Sequence, residues 1–270
     1  MASTAAESLP SVTGQSTRPI NILLINPNCT PSMTAACLRS IESTLPPHVT
    51  VYGFTCPPSG PSAVEGRVDA TLSAADCFRA LAPLVRGSPG RFDGFLVACF
   101  SAHPLIAMLR EEYTQPAMGI MEAALYASRM CGDRLGIVTT SERSSVLHAK
   151  STVDYGFAAY SVGCETGHIS VLELESKPKS VVYAGLATAA KKLVDKGADC
   201  ICLGCAGMTE MHEACRKAVD MEGRQAMVVD GVAMGVHFLT ALVREGLGTA
   251  KGGSYRSAAA GRERRGQEWL

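Results

Sequence analysis

Two stretches of the chain each end in a cysteine placed to do acid–base chemistry. Residues 92–101 read FDGFLVACFS and residues 198–207 read ADCICLGCAG. They align without gaps, Asp93 with Asp199 and Cys99 with Cys205. A cysteine where a strand gives way to a helix start meets unpaired N–H groups and the positive end of the helix dipole. Both favour thiolate. Two such thiols on opposite faces of a carbon acid could exchange its proton: one removes the hydrogen α to a carbonyl, the other returns a proton to the far face. Turn and helix-start N–H groups could hold the enolate oxygen. The catalytic candidates are therefore Cys99 and Cys205.

The other thiols of the second stretch are a different matter. Strand alternation puts Cys200 and Cys202 on one face and Ile201 and Leu203 on the other, while Cys205 lies past Gly204. The three do not converge, the paired ligands of a zinc site are missing, and no metal is expected. Packing against the core is the reading for Cys200 and Cys202.

Short turns supply candidates for binding. Asn28 either offers its amide to a substrate carbonyl or shapes its turn. Thr139 and Thr140 either hydrogen-bond a ligand or cap the next helix. Ser101, Gly204, Ala206 and Gly207 flank the two cysteines. His103 is either a base paired with Cys99 or a solvated cap at a helix start.

These residues need a scaffold, and the pattern provides one. INILLINP, from Ile20, is a continuous apolar run of the kind buried in parallel sheets. Thr30 as N-cap and Pro31 at the first helical position open a helix with Met33, Cys37, Ile41 and Leu45 on one face. VTVYGFT, FDGFLVACF, PAMGIM, RLGIVTT and ADCICLGC read as further strands. Helices stand between them, one with Leu72, Ala75, Phe78 and Leu81 inward and another with Val182, Leu186, Ala189 and Leu193 inward. ISVLELES reads as extended. AMVVDG and a final helix, VAMGVHFLTALVREG, complete the fold. Alternation of strand and helix means an α/β protein with parallel sheets. The repeat of the cysteine segment divides it into two similar lobes related by a pseudo-twofold axis, with the active site in the cleft between them. Ligands of open parallel sheets bind beyond the carboxyl ends of the strands. The expected divisions are a disordered tail over 1–19, a first lobe of 20–127 plus 228–248, a second lobe of 128–227, and a flexible tail over 249–270.

Composition narrows the classes. Twenty-five basic and twenty-five acidic residues cancel, which argues against a general grip on nucleic acid or anionic membrane. No apolar run reaches the roughly 20 residues of a membrane span, and the N-terminus lacks the pattern of a signal peptide. Eleven cysteines, an odd number, then fit a reduced, cytoplasmic protein. The sequon at Asn28 carries no meaning in that compartment. Dinucleotide, P-loop, zincin and nucleophile-elbow motifs are absent.

At several blocks the sequence resembles the aspartate/glutamate racemase superfamily, in its hydantoin and allantoin racemase branch and its fungal-type relatives. The blocks are INPNCT, GPSAVEGRVD, ACFSAHP, GIMEAALYAS, GIVTT and LGCAGM, in order, spanning roughly residues 20–248. The resemblance implies two facing α/β lobes, no cofactor, a small-molecule substrate, a tendency to homo-oligomers, and Cys99 and Cys205 as the acid/base pair. It places Asn28 and Thr140 in substrate-contacting blocks and Glu65 in a structural or gating loop. The chain departs from the branch after the first cysteine, where Phe100-Ser101-Ala102-His103-Pro104 stands in place of F-G-D-P-G. Cys29 also replaces a hydroxyl residue. The expected function is cofactor-independent racemisation of a cyclic ureide, a 5-substituted hydantoin or allantoin. The alternatives are cis–trans isomerisation of the maleate isomerase type, a tailoring isomerase or cyclase using the same thiols, and a non-catalytic ligand-binding protein.

Overall fold

The computed structural model describes residues 9–220 and 226–267. Residues 1–8, part of the segment expected to be disordered, lie outside the described residues. The strands are β1 (Ile20–Asn26), β2 (Val49–Thr55), β3 (Gly94–Val97), β4 (Ala117–Gly119), β5 (Leu135–Thr139), β6 (Ser161–Thr166), β7 (Cys200–Leu203) and β8 (Met227–Val229). The helices of the first half are α1 (Pro31–Ile41), α2 (Arg67–Arg86), α3 (Pro104–Glu112) and α4 (Ile120–Cys131). Those of the second are α5 (Glu142–Asp154), α6 (Glu173–Ser176), α7 (Lys179–Asp195), α8 (His212–Asp220), α9 (Gly231–Arg244) and α10 (Ala259–Arg264).

The strands form two four-stranded sheets in the orders β2-β1-β3-β4 and β6-β5-β7-β8. Every pairing is parallel. The second order is the first shifted by four strands, so the fold repeats itself as the cysteine segments do. The register repeats as well: Ile25 pairs with Val97 in one sheet, Val138 with Leu203 in the other. Asp93 and Asp199 do equivalent work. The Asp93 carboxylate accepts from the Asn21 amide, and that of Asp199 accepts from the amides of Asp133 and Arg134. Each aspartate thus fastens the start of its central strand pair, and each cysteine follows six residues later at the other end.

Side-chain alternation decides which core each strand feeds. Ile22, Leu24, Leu96, Ile137, Cys200 and Cys202 point inward and join α4 and α9 in one core running between the sheets. Their neighbours Leu23, Ile25, Phe95 and Val97 pack outward under α2 and α3. Val138, Ile201 and Leu203 pack outward under α7 and α8. Cys200 and Cys202 are fully buried, their thiols directed at the carbonyls of Ser128 and Ala124 on α4. They are packing residues, as alternation requires.

Four local expectations are corrected. Leu72 is 59% exposed, and α2 turns Ser73, Ala74, Cys77, Phe78, Leu81 and Ala82 inward instead; the helix is rotated by one position so that Cys77 and Phe78 reach the first sheet. ISVLELES is not extended but contains α6, because Ser170 and Glu173 close a turn through the Ser170 amide and the Glu173 carboxylate. The extended segment of that region is β6, which begins at Ser161. Thr30 precedes α1, but its hydroxyl donates to the Ser62 carbonyl at 2.8 Å rather than capping the helix. Finally, the segment after Gly248 is not a loose tail over its described length. Lys251 donates to the carbonyls of Arg110 and Glu111 at the end of α3, and Arg262 of α10 pairs with Glu112.

Candidate active site

Cys99 follows β3 and Cys205 follows β7, each at the carboxyl edge of its sheet. Gly204 makes the second approach possible. Its amide donates to the Val138 carbonyl at 2.8 Å, and a Cβ there would stand 2.4 Å from that same oxygen. Only glycine lets β7 close against β5 at this point. Ala98 holds the equivalent place before Cys99, its amide donating to the Ile25 carbonyl.

Both cysteines line a single small cavity of about 50 Å³, with Asn28, Thr140, Gly204, Ala206 and Gly207 on its walls. A larger cavity of about 360 Å³ adjoins it on the Cys99 side and includes Glu65 and Ser101. Cys99, Phe100, Val64, Ser144 and His148 border both. The two sheets thus contribute one thiol each to a shared space with a roomy annex.

The thiols are neutral at physiological pH. Burial pushes Cys99 up to about 11, although the Ser101 hydroxyl at 3.3 Å acts in the other direction. Burial pushes Cys205 up to about 12, opposed by a hydrogen bond from the Gly207 backbone and reinforced by the negative charges of Cys99, Glu65 and Glu175. This corrects the expectation that helix-start N–H groups lower both values. The turn after Cys205 does supply such a donor, but the cost of holding a charge at this depth outweighs it. The mutual effect of the two thiols also favours one thiolate at a time.

Asn28 is oriented as a donor. Its Oδ1 accepts from the Thr30 amide and from Asn26 Nδ2, both at 3.0 Å. The backbone donor settles which end is oxygen. Nδ2 is left with the weak sulfur acceptor of Met33 at 3.3 Å, on the cavity wall. Thr140 also reaches the cavity, its hydroxyl 3.1 Å from that of Ser144.

Two candidates are placed elsewhere. Thr139 is fully buried, and its hydroxyl is engaged with the Ser141 carbonyl and the Ser145 hydroxyl at the start of α5. His103 is the N-cap of α3: Nδ1 accepts from the Leu105 amide, and the ring's other nitrogen meets the Ser73 hydroxyl at 3.1 Å. It is buried rather than solvated, and burial lowers it to about 4. Its two nitrogens are occupied in capping and packing, away from both cavities.

One group on the walls escaped the sequence reading. His148, on α5, borders both cavities and is buried. A helical projection would have exposed it, since Ser144, Leu147, His148 and Ser151 share the face of α5 that lines the larger cavity.

Comparison with known proteins agrees with this architecture. Residues 22–239 match the Asp/Glu/Hydantoin racemase family. An uncharacterised protein of Schizosaccharomyces pombe is 41% identical, over 88% of this chain and 98% of its own length. A hydantoin racemase of Rhizobium meliloti is 31% identical, over 87% of this chain and 94% of its own length. Among solved structures, the allantoin racemase of Pseudomonas fluorescens superposes with a TM-score of 0.78 at 27% identity, covering 88% of this chain and 97% of that one.

Proposed function

The chain belongs to the Asp/Glu/hydantoin racemase family, and we propose that within it this protein racemises a cyclic ureide, a 5-substituted hydantoin or allantoin, by proton exchange between two cysteines. The observation that carries this reading is the single cavity bordered by Cys99 from one sheet and Cys205 from the other. A ureide ring is a suitable substrate because a carbonyl beside the reacting carbon delocalises the carbanion. The relatives named as hydantoin and allantoin racemases support the same substrate class.

In this mechanism the reacting carbon lies between the thiols. One cysteine, as thiolate, removes the α-proton; the C–H electron pair moves into the enolate, and the other cysteine delivers its S–H proton to the opposite face. The products are the mirror-image ureide and an enzyme with the two roles exchanged, so the reverse direction uses the same groups. Asn28 Nδ2 donates to the developing enolate oxygen. Thr140 and the backbone of residues 204–207 hold the ring, Ser101 steadies Cys99, and the ring substituent occupies the larger cavity with Glu65 at its rim. All proton traffic stays on cysteine, without a cofactor. Eleven free cysteines suit a reducing compartment, and we place the protein in the cytoplasm. No helix among the described residues is long and apolar enough to cross a membrane.

Single enantiomers of allantoin and of several 5-substituted hydantoins, incubated in D2O, test the reading. Optical rotation should decay with uptake of one deuterium at the α-carbon. Cys99→Ser and Cys205→Ser should each reduce racemisation by about 10²–10⁴-fold, the scale on which loss of a positioned acid–base group acts. Unchanged substrates across the panel would overturn the substrate class. A stable adduct on one thiol, seen by mass spectrometry, would overturn the two-base scheme in favour of nucleophilic isomerisation.

A further inference from the structure

The two thiols are served by different kinds of hydrogen-bonding group. Ser101 Oγ lies 3.3 Å from Cys99 Sγ, and among the described residues each is the other's only side-chain hydrogen-bond partner. The backbone builds this pairing. The Ser101 amide donates to the Cys99 carbonyl at 2.9 Å, a tight turn that brings residues 99 and 101 together. Phe100 between them is buried in the core that joins the sheets. The main chain at Ser101 is held from a second side, its carbonyl 3.7 Å from where a Cβ on Gly119 would stand at the end of β4. Cys99 borders both cavities and Ser101 only the larger of the two. The hydroxyl thus meets the sulfur from the larger cavity's side and leaves the other side to the space shared with Cys205. At Cys205 the neighbouring donor is the Gly207 backbone instead.

This difference has a chemical consequence. A backbone N–H can only donate, so it serves the thiolate and not the thiol. A hydroxyl turns to suit its neighbour, accepting from S–H and donating to S⁻. Ser101 can therefore keep its hydrogen bond to Cys99 in both protonation states, and its own O–H bond breaks in neither. The charged and titratable groups around Cys99 do not take this place. Glu65 and Arg67 stand at the start of α2, and Cys205 across the smaller cavity. On α5, Lys150 and Asp154 pair with each other at 2.8 Å, and the neutral His148 packs between Phe100 and Gly204. Tyr155, which senses the Cys99 charge, is kept protonated by burial. Among the described residues none of these is hydrogen-bonded to Cys99 Sγ.

We propose that Ser101 is a positioning residue acting through Cys99: its hydroxyl follows the proton on that sulfur and makes Cys99, rather than Cys205, the base of the resting enzyme. The proton lost in forming the resting thiolate goes to solvent, and Ser101 donates to the sulfur that remains. When Cys99 later takes up the α-proton, the hydroxyl turns and accepts from the new S–H. The lower value of Cys99, about 11 against about 12 for Cys205, runs in the same direction. The inference rests on the proposed two-cysteine reading.

The test is site-resolved alkylation of the full chain by iodoacetamide at neutral pH and low conversion, with Cys99 and Cys205 quantified separately by mass spectrometry. It is run on wild type, Ser101→Ala and Ser101→Thr. A hydrogen bond to a charged sulfur outweighs one to a neutral sulfur by enough to change the thiolate fraction roughly tenfold. The more basic thiolate left behind is also the better nucleophile, which regains about threefold. Cys99 in Ser101→Ala should therefore react roughly three- to fourfold more slowly, with Cys205 within about twofold of wild type. The sign is decisive, because alanine is smaller than serine and easier access alone would speed the reaction. Ser101→Thr, which keeps the hydroxyl, should return to within about twofold of wild type. Cys99 reacting as fast or faster in Ser101→Ala would overturn the proposal, as would a threonine variant as slow as the alanine one. Equal slowing at both cysteines would overturn it too. The α-deuteration assay separates this outcome from the substrate reading. kcat/KM for a 5-substituted hydantoin should fall roughly threefold to tenfold in Ser101→Ala and recover in Ser101→Thr. Slower Cys99 alkylation in a protein that deuterates no ureide would uphold the role of Ser101 toward Cys99 and overturn the ureide reading.

Discussion

At the scale of single residues, the site sets a basicity problem. Cys99 at about 11 and Cys205 at about 12 hold their protons throughout the neutral range. Burial is responsible for both, and in the proposed mechanism the same burial would shield the carbanion from water. A thiolate formed in such a cavity is a stronger base than one in solvent, but it is rarer. On the free enzyme, the fraction carrying one thiolate rises tenfold for each pH unit below the lower of the two values. The pH profile of kcat/KM for racemisation should therefore climb with a slope near one from pH 7 to pH 10. A profile that levels off near pH 8.5, the value of an unperturbed thiol, would show that the cavity does not raise the reacting thiol. Asn28 illustrates a complementary point: its polarity as a donor follows from two donors locked onto its oxygen. That is a property of the turn Asn26–Thr30, not of asparagine itself.

At the scale of elements, α3 and α5 each bury one histidine, to different ends. His103 caps α3 and is consumed in doing so. His148 Nδ1 is buried without a hydrogen-bond partner. Both rings are buried and lowered from 6.5 to about 4. A histidine with a depressed folded-state value contributes stability that is complete above its unfolded value and is lost as pH falls toward the folded one. The relevant window here is pH 6.5 down to 4. By pH 4.5 the loss is on the order of 2–3 kcal/mol for each ring. Urea unfolding at pH 7 and pH 4.5 should show this drop. His103→Asn retains a capping acceptor but cannot titrate, so it should remove His103's share of the slope. An unchanged slope in that variant would mean that the ring titrates normally and that its burial costs the charged form little. The end of α3 is held from another quarter. Arg110 reaches the Ala117 carbonyl, pairs with Glu122 on α4 and lies near the ring of Tyr255. The segment following α9 thereby secures the helix that starts just beyond Cys99.

At the scale of the whole molecule, what matters is how two sheets keep their edges facing. Two kinds of contact join them. Exposed polar links run from α1, where Ser32 donates to Glu175 at 2.7 Å and Arg39 pairs with Glu210 at 2.9 Å. The other is the apolar core between the sheets, built from β1, β3, β5, β7, α4 and α9. Magnitudes separate them. An exposed ion pair contributes about 0–1 kcal/mol, whereas emptying a fully buried leucine costs about 2–5 kcal/mol. Leu239 of α9 is 0% exposed and lies against Gly94 at the start of β3. Leu239→Ala should lower the unfolding free energy by 2–5 kcal/mol, and Arg39→Gln by less than about 1 kcal/mol. Equilibrium denaturation of the two variants checks the order. The reverse order would place the inter-sheet stability in the surface links.

Much of this was written in the linear chain, and the remainder was not, for identifiable reasons. Parallel strands buried on both faces are continuous apolar runs, so β1, β3, β5 and β7 announce themselves, and the repeat of FDGFLVACFS in ADCICLGCAG carries the two-lobed plan and its paired cysteines. Period-two alternation was enough to separate Cys200 and Cys202 from Cys205. β6, with one glycine and several polar residues over SVGCET, has no such run and was overlooked. The rotation of α2 depends on which of two adjacent apolar stripes meets the sheet, a choice made by packing rather than by pattern. The same holds for the site. Neighbouring residues can differ entirely, as Thr140 faces the cavity while Thr139 closes a helix start. Dielectric environment is a property of the assembled fold, so no local motif could reveal that Cys99 and Cys205 sit well above an ordinary thiol. Nor could it show that His148, an unremarkable helix residue in the sequence, would lie between their loops with one nitrogen unpartnered. The sequence by itself determined the central strands, the repeat and the two candidate thiols. Tertiary structure alone decided their protonation and their neighbours, because both depend on what the second lobe excludes from, and brings to, the ends of the first lobe's strands.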